Sequence, residues 1–308
     1  MTDAVVDPVS IPVPRSARPD RLLRRLWRHR SSRLGLILLG LILALVVLGP
    51  WLTGGSPSSD MAYQNLAASL QPPSAAHWLG TDQLGRDELV RLVLGARYTI
   101  IIGLGAVATG VLVGLPLGAL SGFYRGWVDL VVQRLVDVVL AFPSFLLALA
   151  LVAVLGPGLR NLIIGVALTS FPRFVRLIRA QVLSVRERPF VEAALALGVS
   201  RGRILWRHVL PNSMTPVIVQ TPLELGSAVL TAAGLGFLGL GVRQPTPEWG
   251  TMLGESRDFI FSNPALVTYP GLCIVLVILA VNLLGDGARD VLDPRLRSRI
   301  KIPRRRRT

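Results

Sequence analysis

Residues 192–212 read EAALALGVSRGRILWRHVLPN, a short amphipathic segment set between strongly apolar stretches, and the fold follows from what surrounds it. Ala193, Ala194 and Leu197 can share one helical face behind Glu192. Gly198 permits a sharp bend without side-chain clash, and a second helical turn carries Ile204, Leu205 and Val209 towards Pro211. The pattern predicts a helix, a bend and a helix.

Composition sets the frame outward from this segment. The chain has 308 residues, 51% of them hydrophobic and 17% charged, with mean hydropathy +0.56. Its apolar residues gather in runs about 20 long, the length that crosses a hydrocarbon core of roughly 30 Å. The expectation is an all-α integral membrane protein with six transmembrane helices: Leu34 to Leu52, Ile100 to Phe123, Leu130 to Leu155, Leu162 to Ile178, Val217 to Leu240 and Ala265 to Leu284. The expected organisation is a disordered tail over 1–20, then 21–96 with the first span and an outer loop, a membrane domain over 97–286 and a basic tail over 287–308. Pro8, Pro12, Pro14 and Pro19 rule out a helix in the first of these, which is no signal peptide. Between Arg21 and Arg33, six arginines surround Leu22, Leu23, Leu26 and Trp27: a helix lying on an anionic membrane surface, or a simple charged flank.

Orientation follows from the basic residues. With both termini cytoplasmic, inside segments hold 26 of the 33 Lys and Arg and outside segments hold Arg86, Arg91, Arg97, Arg160, Arg243 and Arg257, with Arg134 inside a span. The Glu192 segment then faces the cytoplasm between spans four and five. The net charge of +15 flanks apolar spans and does not stripe a soluble face, which argues against nucleic acid. A lone Cys273 excludes an intrachain disulfide, and with three scattered histidines, His29, His77 and His208, it argues against a metal cluster. The single lysine, Lys301, has no glycine-rich turn before it, so there is no phosphate-binding loop and no ATPase in this chain. No catalytic residue emerges.

The Glu-Ala-Ala start, the Gly six residues after that Glu and the closing His-Val-Leu-Pro resemble the EAA loop of binding-protein-dependent ABC importer permeases. Four further stretches resemble the C-type subunit of the dipeptide, oligopeptide and nickel branch: HWLGTDQLGRDELVRLVLGAR (77–97), SGFYRGWVDLVVQRLVDVVLAFPSF (121–145), GFLGLGVRQPTPEWG (236–250) and NLLGDGARDVLDPR (282–295). Ala232 stands where the resemblance leads to a Glu, and Gly236 where it leads to a Ser. The resemblance implies a type I importer permease with a cytoplasmic coupling helix, in a prokaryotic plasma membrane. Glu192, Ala193, Ala194, Gly198, His208 and Pro211 would form its ATPase-coupling segment. It also implies a second homologous permease, two ATPase subunits that bind ATP and Mg, and an extracytoplasmic binding protein delivering a short peptide or, alternatively, nickel or glutathione. A different class, an ion-coupled secondary transporter, would use Asp137 and Glu224 as its coupling carboxylates. A non-transporting membrane scaffold is the third.

Within the spans, Gly110, Gly114, Gly118 and Gly122 recur every four residues and predict close helix packing. Pro143 and Pro172 predict kinks in spans three and four. Asp137 and Glu224 lie at membrane depth, where a charge costs roughly 2.5–3.5 kcal/mol, and are pathway candidates. Arg134, three residues before Asp137, is the expected neutralising partner of that carboxylate, and Glu224 has no cation one turn away. In the outer loop, Thr53 to Ala96, Thr81 or Asp82 is expected to cap a helix starting near Leu84, and the loop is a candidate contact for a binding protein or partner permease.

Overall fold

A computed structural model describes residues 27, 29–52, 54 and 63–292. The expected tail over 1–20, most of the stretch 21–33, part of the outer loop and the chain beyond 292 lie outside these residues. Eleven α-helices are described: α1 Arg30–Leu52, α2 Glu88–Tyr124, α3 Gly126–Leu140, α4 Ser144–Leu155, α5 Leu159–Arg186, α6 Pro189–Ala196, α7 Arg201–Ile204, α8 Leu210–Asn212, α9 Thr215–Leu235, α10 Trp249–Glu255 and α11 Ala265–Leu292. Five elements are long and apolar enough to cross a membrane: α1, α2, α5, α9 with the turn Gly236–Leu240, and α11.

The third expected span is not one rod. Its halves, α3 and α4, meet at 86°. Pro143 stands immediately before α4 and cannot donate to the preceding turn, so the ladder breaks there. Pro172, by contrast, lies buried inside a continuous α5, which runs well past the expected end at Ile178. That extension carries Arg179 and Arg186, and Arg173 and Arg176 lie just before it, on a helix otherwise apolar enough to span.

Long helices pack in pairs: α2 along α5, α9 against α11, and α11 against α1. The first pair is set by the glycine stripe. A Cβ placed on Gly114 would stand 2.8 Å from Phe174 Cβ, one on Gly118 2.5 Å from the Val175 carbonyl oxygen, and one on Gly122 2.8 Å from that of Arg179. Gly110 is less crowded, its nearest neighbour being Ser170 Cβ at 3.2 Å. Backbones approach this closely only where side chains are missing, and dispersion between the two helices gains accordingly.

At the opposite end from the Glu192 segment, the outer loop folds onto α2 and α10 through buried charges. Asp82 Oδ2 accepts from Arg86 Nε and Arg91 Nη1, both at 2.6 Å, and Glu255 Oε2 accepts from Arg86 Nη2 at 3.0 Å and Arg91 Nη2 at 2.8 Å. The helix expected from Leu84 starts instead at Glu88. Asp87 caps it, accepting from Val90 N at 2.9 Å and holding His77 Nδ1 at 2.8 Å. Asp82 instead turns the loop before the helix: its Oδ1 accepts from the N–H groups of Leu84 and Arg86 at 2.8 and 2.9 Å, while Oδ2 takes both guanidinium groups. Thr81 bonds the Ala68 carbonyl instead.

The loop after α9 turns on small residues. A Cβ on Gly236 would lie 2.6 Å from the Gly250 carbonyl carbon and 3.1 Å from Glu248 Oε2, so a Ser there would collide with α10. Glu248 is fully buried and caps α10, accepting from the N–H groups of Gly250 and Thr251 and the hydroxyls of Thr251 and Thr99. Burial pushes its carboxyl above the usual carboxylate range, and those four donors pull it back.

Candidate coupling segment and membrane-embedded charges

The segment 192–212 folds as two limbs around a defined bend. Pro189 begins α6 after only Glu187 and Arg188, and its fixed φ suits a first helical turn. At the other end Gly198 adopts φ +74°, its N–H donates to Leu195 O at 3.0 Å, and Val199 N–H donates to Ala194 O at 3.1 Å. These two reversed bonds around a left-handed residue are a Schellman stop, which closes α6 at one reproducible angle. Ala194 and Val199 both pack against the core beneath it.

The limbs differ in burial. Ile204, Leu205 and Val209 are fully buried and anchor the second limb to the bundle. Its turn over Leu205–Val209 widens to i→i+5, with Leu210 N–H bonded to Leu205 O. In the first limb, Val191 is buried, whereas Glu192, Ala193, Leu197 and Gly198 are exposed, Leu197 by 83%. Within this chain Ala193 is therefore not a close-packed position. His208 and Pro211 are exposed, and the His208 carbonyl accepts from Asn212 Nδ2 at 2.6 Å. Glu192 makes no ion pair among the described residues and stands at a cavity of about 270 Å³ lined also by Phe123, Tyr124, Arg186, Val191 and Arg201. Arg186 Nη1 donates to the Phe123 carbonyl at 2.6 Å and Arg125 pairs with Glu187, so the ends of α2 and α5 are tied beside α6.

The embedded carboxylates find partners on another helix. Asp137 on α3 accepts from Arg176 Nη2 of α5 at 2.8 Å, while Arg134 makes no ion pair among the described residues. The expected Arg134–Asp137 neutralisation is thus replaced by an interhelical pair, because Arg176 reaches across from the neighbouring helix. Glu224 on α9, 3% exposed, lies 3.1 and 3.2 Å from Arg173 Nη1 and takes Gln220 Nε2 at 3.1 Å. Lower on α5, Arg179 holds Asp129 through two parallel bonds of 2.6 and 2.7 Å.

Two family models match the chain: the binding-protein-dependent transport system inner membrane component over residues 114–298, and the N-terminal transmembrane domain of oligopeptide transport permease C over residues 20–73. The chain belongs to this permease family. Among its relatives, the dipeptide transport system permease protein of Alkalihalophilus pseudofirmus is 44% identical, the match covering 94% of this chain and 98% of that one. The di/tripeptide transport system permease protein of Pseudomonas aeruginosa is 46% identical over 90% of this chain and 93% of that one. The glutathione transport system permease protein of Pectobacterium atrosepticum is 39% identical over 94% and 96%. Among solved structures, an inward-facing methionine ABC transporter shares the fold at TM-score 0.54 and 20% identity, covering 66% of this permease and 97% of that chain.

The pairing role of the α5 arginines does not emerge from the sequence analysis, in which Arg173 and Arg176 simply fall within the expected span Leu162 to Ile178. Their spacing carried the signal: Arg173, Arg176 and Arg179 recur every three residues, and Asp129 and Asp137 sit upstream on α3 of the permease. Such a ladder on an apolar helix needs acidic partners on its neighbours.

Proposed function

We propose that this chain is one of two permease halves of an ATP-driven importer of short peptides, coupled through α6 to ATPase subunits that themselves bind ATP and Mg. The observation that carries the reading is the rigid, half-exposed elbow at Gly198. Its first limb offers an exposed, largely apolar surface around Ala193 and Leu197 to a partner, and its second limb is locked into the bundle by Ile204, Leu205 and Val209. A push on α6 therefore moves α5, two residues upstream, and α9, just downstream, as a unit. With both termini in the cytoplasm, as the arginine distribution favours, this elbow faces the ATPases and the buried charged loop faces the extracytoplasmic binding protein. The chain supplies path and coupling and performs no catalysis.

The names of the relatives support a dipeptide or oligopeptide cargo; the glutathione relative supports glutathione, itself a small peptide, as the alternative. Copurification with the neighbouring subunits, identification of the ligand retained by the binding protein, and uptake into proteoliposomes test the reading together. Uptake should require ATP and ignore ionophores; uptake collapsed by an ionophore and indifferent to ATP would place the chain among ion-coupled transporters.

A further inference from the structure

Four charges form an alternating strap across three helices: Asp137 on α3, Arg176 and Arg173 on α5, Glu224 on α9. Arg173 stands near the middle of the 28-residue α5, and Glu224 near the middle of the 21-residue α9, so the strap crosses the bundle at membrane depth. Residues 173 and 176 are about 60° apart around α5, one turned to α9 and the other to α3. The strip of α5 between them is thus flanked by both helices.

The strap is open. The side chains of Arg173, Arg176 and Asp137 are 45%, 53% and 51% exposed. Each arginine spends one terminal nitrogen on its carboxylate. Among the described residues, Nε and Nη2 of Arg173, Nε and Nη1 of Arg176, and Oδ2 of Asp137 have no hydrogen-bond partner. Half-exposed charges at this depth are not tolerated against lipid, so the face lines water or protein. Arg179, one turn below, differs: both arms of its fork are taken by Asp129. With the unpaired Arg134 three residues before Asp137, the strap carries a net positive charge, and the spare guanidinium N–H groups of Arg173 and Arg176 suit an anionic oxygen group such as a carboxylate.

We propose that Arg173 and Arg176 are a contact site for the terminal carboxylate of the peptide in transit, with the free oxygen of Asp137 available to its ammonium group. The assignment rests on the peptide-importer reading above. Glu224, buried and held by Gln220, positions Arg173 and does not itself touch the peptide.

The test uses the complete reconstituted transporter with its binding protein saturated, comparing maximal uptake of alanyl-alanine with that of its C-terminal amide. The wild type should favour the free carboxylate. In Arg176→Gln, and in the charge-matched double variant Arg173→Gln/Glu224→Gln, that ratio should fall about tenfold; Arg173→Lys, which keeps charge but not the fork, should fall between. Arg179→Gln should lower yield or thermal stability and leave the ratio alone. An unchanged ratio in Arg176→Gln and in the double variant, or an equal fall in Arg179→Gln, overturns the assignment. Arg176→Gln keeps the test available if the double variant fails to assemble, since its pair is half exposed on both sides. A wild type that imports no peptide overturns the functional reading and this inference with it, whereas normal uptake with an unchanged ratio overturns this inference alone.

Discussion

Gly198 allows the coupling role of the elbow to be tested separately from side-chain bulk. Its φ of +74° is a conformation that costs an L-residue about 1–2 kcal/mol, yet a Cβ added there would meet nothing within 4 Å. The penalty is therefore backbone strain alone, and it should not grow with side-chain size. Gly198→Ala and Gly198→Leu should weaken the bent state alike, by about 5- to 30-fold in its equilibrium, while Gly198→Asn, which tolerates the left-handed region, should lose less. Gly198→Pro is worse in kind: it fixes φ near −65° and removes the N–H that bonds Leu195 O. The assay is peptide imported per ATP hydrolysed by the reconstituted complex, with membrane insertion checked separately. The expected order is wild type, Asn, then Ala equal to Leu, then Pro with coupling lost. A Leu variant far worse than Ala would refute the open-space reasoning, and a Pro variant as mild as Asn would show that the Schellman stop does not set the coupling angle.

Two further substitutions probe the scaffold. Gly118→Ala should destabilise the bundle by about 1–3 kcal/mol, because its Cβ would meet the Val175 carbonyl oxygen at 2.5 Å, while Gly110→Ala, whose Cβ would meet Ser170 Cβ at 3.2 Å, should cost less; equal shifts in detergent-solubilised Tm would contradict the glycine geometry. Asp82→Ala leaves Arg86 and Arg91 buried with Glu255 as their one remaining ion-pair partner among the described residues, and should cost about 3–5 kcal/mol, read as faster proteolysis of the loop over 63–87. A loss below about 1 kcal/mol, the value of an exposed pair, would mean the cluster is wet and weak.

The membrane class, the two-limbed segment at 192–212 and the glycine stripe were legible along the chain because each depends on local periodicity. Twenty apolar residues in a row have few alternatives to a span, and a Gly six residues after Glu192 on an amphipathic stretch marks a stop. The outer loop was harder. Asp82 and Asp87 both satisfy the local rule for a helix cap; the helix starts after Asp87, and Asp82 turns the loop with one oxygen while its other holds Arg86 and Arg91.

By itself, then, the sequence determined the membrane class, the bend at Gly198 and the helix face bare enough for close packing. Only the tertiary structure decided which charges meet. Asp137 on α3 passes over Arg134 on its own helix for Arg176 on α5, Glu224 finds Arg173 fifty-one positions away, and the third span breaks at Pro143 into halves at 86°. Hydrophobic periodicity is written along one helix and can be read there. An ion pair between helices depends on their spacing and relative rotation, which no single segment encodes.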